Sequence, residues 1–161
     1  MSQSIVTETI MVLRVVHVTA TYLFMGSIVS AFLLKHLSDA SGSVASIVFT
    51  IEVIQKLDKV LTIPTAAITS VTGLSLAWLL HWRVGSYPLW LTLSIVIWAV
   101  SAAIATSVLL PQLVHLQTEL GRSGPDSAAY KRLSTRWRSL SLGLVVSPFA
   151  ILVLMLLRPS S

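Results

Sequence analysis

Four apolar stretches, residues 15–34, 60–80, 84–114 and 139–157, exclude all eleven Lys/Arg and all six Asp/Glu of this 161-residue chain. A hydrocarbon core of about 30 Å needs about 20 helical residues to cross it, and each stretch is long enough. Strict alternation of apolar and polar residues, the mark of barrel strands, is missing. Helices are the other way to satisfy backbone polar groups in lipid. The sequence therefore predicts an all-α membrane protein, one domain of four transmembrane helices in an up-down antiparallel bundle. The spans are set at about 10–34, 59–80, 88–112 and 139–158. With 55% hydrophobic and 11% charged residues, against about a quarter charged in soluble domains, no second, water-soluble domain is expected.

The charges then set the topology. Lys35, Lys56, Lys59, Arg122, Lys131, Arg132, Arg136 and Arg138 fall on the side of the two longer connections, and Arg14, Arg83 and Arg158 on the side of the termini. The positive-inside rule puts the richer side in the cytoplasm. We therefore expect a multi-pass protein of the inner (cytoplasmic) membrane with both termini outside. The net charge of +5 is carried beside the spans, so lipid headgroups rather than nucleic acid are its expected partner. The N-terminus has neither a basic region ahead of the first apolar run nor a cleavage pattern, so helix 1 is read as retained. No cysteine is present, which excludes disulfides, thiolate metal sites and covalent c-type haem.

Packing is written in small residues. Thr65, Thr69, Gly73 and Ala77 in helix 2, and Ser139, Gly143 and Ser147 in helix 4, recur every four positions, a spacing that lets helix backbones approach. The short link HWRVGSYPLW predicts helices 2 and 3 as neighbours, with Trp78, Trp82, Tyr87 and Trp90 as an interfacial aromatic belt. Pro64 and Pro148 predict kinks. The stretch GRSGPDSAAYKRLSTRWR reads as a turn and an interfacial helix leading into helix 4.

His17 is the only residue inside an apolar run that can take a charge near neutral pH. Such a group at membrane depth is a functional-site candidate; the alternative is packing through a hydrogen bond to Thr21 or a neighbouring helix. His81 belongs to the same outer layer, and His36 and His115 to the opposite one. Imidazoles on different helices at one depth can ligate haem b without cysteine. Met11 and Met25 are thioethers suited to copper(I) or to haem iron, and Arg14 can pair with a propionate. Haem b is thus the first cofactor expectation and copper the second. A non-catalytic subunit of a larger membrane complex, or a homo-oligomer, is the third reading.

Several motifs extend this. His17 is followed nine residues later by Gly26, and helix 1 closes on Lys35 and His36. The segment KLDKVLTIPTAAITSVTGL, residues 56–74, has Pro64 five residues after Lys59 and Gly73 nine after the proline, and the chain ends with LLRP. This pattern resembles the uncharacterised integral membrane family DUF2269. That family is placed within a four-helix membrane superfamily with the copper-resistance D domain and the HemJ-type protoporphyrinogen oxidases. The resemblance implies haem b or copper association with His17 as ligand, His81 or Met25 as its partner, and Arg14 or Lys59 at haem propionates. Helix 3 has no internal histidine of the HemJ kind, which argues against protoporphyrinogen oxidation.

Overall fold

The computed structural model describes residues 3–80, 82 and 87–157, and all four long elements in it are helices. They are α1 (Gln3–Ser41), α2 (Val44–Leu79), α3 (Leu89–Ser123) and α4 (Ala128–Leu157), each long and apolar enough to cross a membrane. They overrun the apolar stretches of the sequence. At 1.5 Å per residue, the 39 residues of α1 reach about 58 Å, nearly twice the hydrocarbon thickness. Most of the overrun lies at the end where α1 meets α2 and α3 meets α4, called the loop end below.

The helices turn back there with little chain. Only Gly42 and Ser43 separate α1 from α2. Gly42 takes φ +65°, a conformation that suits glycine, and the Ser43 hydroxyl accepts the Ser46 N–H at 3.4 Å as the N-cap of α2. Residues 44–57, which the sequence reading left in a loop, are thus the first four turns of α2. At the other reversal Gly124 has φ +75°, and the Ser127 hydroxyl accepts the Tyr130 N–H at 3.1 Å. From there α4 runs unbroken, so the basic segment expected as a separate interfacial helix is instead the start of α4.

Two of the three long helices that contain a proline widen just before it. In α2 the turn Asp58–Thr62 is π-helical, the Ile63 N–H bonding the Asp58 carbonyl, and Pro64 follows. In α3 the turn Ala105–Leu109 is π-helical, the Leu110 N–H bonding the Ala105 carbonyl, and Pro111 follows. Proline lacks an N–H and its ring presses on the carbonyl four residues back, so a wider turn at that point relieves the crowding. In α4 the solution differs. Pro148 leaves the Leu144 carbonyl without its helical donor, and the Ser147 hydroxyl bonds that carbonyl instead at 3.1 Å.

The core is gathered at the loop end. Ile47, Ile51 and Ile54 of α2, Leu109, Leu113, Leu116 and Leu120 of α3, Tyr130 and Trp137 of α4, and Ala31 of α1 form one buried cluster. All four helices meet there. Toward the other end the bundle divides into two pairs, α1 packed on the outer half of α2 and the outer half of α3 packed on α4. Helices 2 and 3, expected as antiparallel neighbours, bring their backbones together at the loop end, while their outer halves pack on α1 and on α4. The Phe24 and Trp98 rings, edge to face at 5.1 Å, and a Trp98 Nε1–H bond to the Ser70 hydroxyl at 2.9 Å still link the pairs. Below that bridge lies an apolar cleft of about 210 Å³.

The small-residue stripe of α2 faces α1 as expected, with Thr65, Thr69 and Ala77 buried. Of the stripe expected on α4, Ser139 and Gly143 are exposed and Ser147 is half-buried beside the interior cleft, while Tyr130, Trp137, Ser141 and Pro148 form the buried face. Bulkier side chains hold α4 against the core. Trp82 and Trp90 stack edge to face at 5.3 Å and Trp78 points outward, which agrees with an interfacial belt.

One polar cluster ties α1 to α4. Lys35, read from the sequence as one of the basic residues flanking the spans, has a side chain only 1% exposed. Its Nζ donates to both Asp39 carboxylate oxygens at 2.6 Å, to the Tyr130 hydroxyl at 3.1 Å and to Ser134 Oγ at 3.4 Å. The Tyr130 and Ser134 hydroxyls in turn donate to Asp39. All three ammonium donors have partners, which is the condition for burying such a charge. Lys35→Ala should cost about 3–5 kcal/mol in reversible unfolding from mixed micelles, since it strands Asp39. Replacing Lys35 by Met together with Asp39 by Leu should cost clearly less than the single change.

Candidate functional site

His17 lies where α1 packs on the outer half of α2, and the local sequence of α2 is shaped around it. Thr69, Thr72 and Gly73 fall on one face of α2 by the three- and four-residue spacing of a helix. The imidazole Nδ1 is 3.0 Å from the Thr69 carbonyl oxygen and 3.0 Å from Thr72 Oγ1. Thr72 Oγ1 donates its own proton to the Ile68 carbonyl at 2.6 Å, so toward His17 it accepts, and a carbonyl can only accept. Both neighbours therefore require a proton on Nδ1. The neutral ring is then the Nδ1–H tautomer, with its lone pair on Nε2.

Gly73 completes the seat. A Cβ at that position would lie 3.0 Å from His17 Cε1, so the hydrogen of glycine is what lets the ring lie against the α2 backbone. Thr21, the expected partner of the ring, bonds the His17 backbone carbonyl at 2.8 Å instead. Its hydroxyl lies 3.5 Å from Thr69 Oγ1 and extends the polar seam between the helices by one turn.

The other residues singled out in the sequence are dispersed. Arg14 is exposed one turn outward of His17 on α1. Met11 is exposed, and Met25 is buried but two turns deeper, about 12 Å along the helix. Lys59 is exposed on the π turn of α2, ten residues and about 15 Å from the Thr69 seat, so Arg14 and Lys59 belong to different layers. His36 and His115 are both exposed toward the loop end. His81 lies outside the described residues, as do Arg83 and Arg158. Among the described residues no three His, Asp or Glu side chains converge as a metal site would require.

Sequence reasoning picked out His17 but not its seat. Thr69 and Gly73 were visible as a packing stripe, whereas Thr72 falls outside that four-residue repeat, and the acceptor role of the Thr69 carbonyl leaves no trace in residue type. Nitrogen NMR of the histidine-labelled protein should show the neutral His17 ring protonated at Nδ1; a bare Nδ1 would contradict the seat. Gly73→Ala should displace the ring, costing about 1–3 kcal/mol as an overpacked contact, read as a lowered unfolding midpoint.

No curated protein and no solved structure matches this chain. The profile of one family, described as predicted integral membrane protein (DUF2269), matches residues 11–159. Nearly the whole chain, with all four helices and the His17 seat, thus falls inside that match, and the protein belongs to the DUF2269 family of integral membrane proteins.

Proposed function

We propose that this membrane protein binds haem b, in a redox or haem-handling role, through Nε2 of His17. The observation that carries the reading is the fixed tautomer. Histidines that ligate metals characteristically give their other ring proton to a carbonyl or similar acceptor, which orients the ring and raises its basicity. The Thr69 carbonyl and Thr72 hydroxyl do this for His17. The residues present fit one ligand position, that of His17, and His81 is the proposed second residue to hold the iron; Met25, about 12 Å deeper along α1, lies too far from His17 to share it. Arg14, one turn outward, offers a guanidinium to a propionate; Lys59, in another layer, is less suited to the same carboxylates. Bound haem would supply one-electron chemistry. The chain's own part is to hold the imidazole rigidly and to keep the proton of the neutral ring on Nδ1, which leaves the lone pair on Nε2.

Copper is the alternative, since the same imidazole lone pair suits copper(I). Purified protein supplied with haem should develop a Soret band that His17→Ala abolishes and Thr72→Val weakens. A preparation that stays colourless but holds copper in a His17-dependent way would favour the second cofactor. Loss of both signals would leave the accessory-subunit reading, for which co-migration with a larger complex on native gels is the positive sign.

The orientation belongs to the same proposal: the loop end in the cytoplasm, both termini outside, in the inner membrane. Because the chain has no cysteine, a single Ser123→Cys at an exposed position of the loop end gives a clean report. It should resist membrane-impermeant maleimide on intact cells and react after permeabilisation. The reverse result would invert the topology.

A further inference from the structure

The cleft below the Phe24–Trp98 bridge is separate from the His17 seat: Phe24 is seven residues, or about 10 Å, deeper along α1. Its walls come from all four helices, and both π turns contribute to them, through Asp58 and Thr62 in α2 and Ala105, Thr106 and Leu109 in α3. The lining surface is mostly apolar, and among the polar side chains that interrupt it three bear on what the cleft can hold: Asp58, Trp137 and Ser141.

Trp137 is 4% exposed and Ser141 6% exposed. Neither the Trp137 Nε1–H nor the Ser141 hydroxyl has a hydrogen-bond partner among the described residues, though both atoms are buried and both side chains line the cleft. Native proteins rarely leave buried donors unmet, since each costs the desolvation of the group. Asp58 lines the same cleft; among the described residues the Thr62 hydroxyl is its one neighbouring side-chain donor and neither ion pair involves it, so its carboxylate keeps accepting capacity toward the cleft. These groups line one cleft: Trp137 and Ser141, one helical turn apart, stand on the α4 wall, and Asp58 stands on the α2 wall.

An indole N–H can only donate and a carboxylate can only accept. The complement to that pair is a group that accepts from one and donates to the other. A hydroxyl does both. An ammonium would satisfy Asp58 and leave Trp137 and its neighbour with no acceptor; a bare hydrocarbon would satisfy none of them. The cleft volume of about 210 Å³ is below the roughly 300–1,000 Å³ of sites for drug-sized ligands, so it takes a head and the first carbons of a chain. The remainder has a way out, because on the loop side of the Trp98–Ser70 bond the backbones of the outer halves of α2 and α3 stand apart.

We propose that the cleft binds a hydroxyl-bearing membrane lipid, a long-chain alcohol or phenol. Its hydroxyl accepts from Trp137 and Ser141 and donates to Asp58, and its chain leaves between α2 and α3 into the bilayer. The π turns have a part in this, since they set Asp58 and Ala105 against the cleft.

The test uses the full chain in phosphatidylcholine nanodiscs and a photoreactive dodecanol with the diazirine near its head, beside the matching amine and hydrocarbon probes. The alcohol should label residues 98–113 and 137–147 saturably, and unlabelled dodecanol should compete. Trp137→Phe and Asp58→Leu should each lower that labelling about tenfold, the weight of one buried hydrogen bond. If either variant fails to fold, Ala105→Phe decides, because it fills the cleft and leaves the polar groups in place; it should abolish saturable labelling. Equal labelling by the hydrocarbon, stronger labelling by the amine, or full labelling of Ala105→Phe would each overturn the proposal. His17→Ala should leave the labelling unchanged, which separates this site from the haem reading.

Discussion

The burial of the Lys35 ammonium is the constraint on which the rest of the bundle is arranged. A charge withdrawn from solvent is tolerable only when every donor is matched, and here the matching groups come from two helices. Asp39 is one turn away on α1, whereas Tyr130 and Ser134 belong to α4. Geometry that satisfies the ammonium therefore fixes the register of α1 against α4 and the depth at which they cross. The isoleucines of α2 and the leucines of α3 then fill the space beside that crossing. With the loop end pinned in this way, the outer halves are free to sort into two pairs, one closed by the His17 seat and the other by the packing of α3 on α4.

Proline is the second organiser. A proline in a soluble helix interior is a defect; in these helices the lost bond and the ring are absorbed locally, by a π turn in α2 and α3 and by a serine hydroxyl in α4. The two π turns face the same interior space. An extra residue in a helical turn pushes backbone outward and changes which side chains point inward beyond it. The cleft is thus a consequence of where the prolines fall as much as of which side chains surround it.

Much of this was legible in the sequence, and the exceptions have physical causes. Four helices, the burial of the α2 stripe and the singularity of His17 follow from hydropathy and spacing, which are one-dimensional properties. The start of α2 was not legible, because residues 44–57 include Glu52 and Lys56 and read as too polar for a span, although their isoleucines pack the core. The burial of Lys35, one of the basic residues flanking the spans, was not legible because Tyr130 and Ser134, which cover it, stand far away in the chain. The small residues of α4 suggested a contact face that the structure turns outward, since Tyr130 and Trp137 compete for the same interior and bury more area. The unmet donors of Trp137 and Ser141 could not be read at all: being unpaired is a property of surroundings, not of residue type.

The reversal at Gly42–Ser43 bears on how the molecule comes together. Two residues suffice to lay α2 back along α1, so that hairpin can form as soon as both segments have been synthesised, at little cost in loop closure. Its ammonium is then only half accommodated, because Tyr130 lies 95 residues further on. Until α4 arrives the hairpin carries an incompletely matched charge on the face that α4 will cover. A chain that stops short of its fourth helix therefore keeps that charge incompletely matched, a polar defect by which it differs from the finished protein.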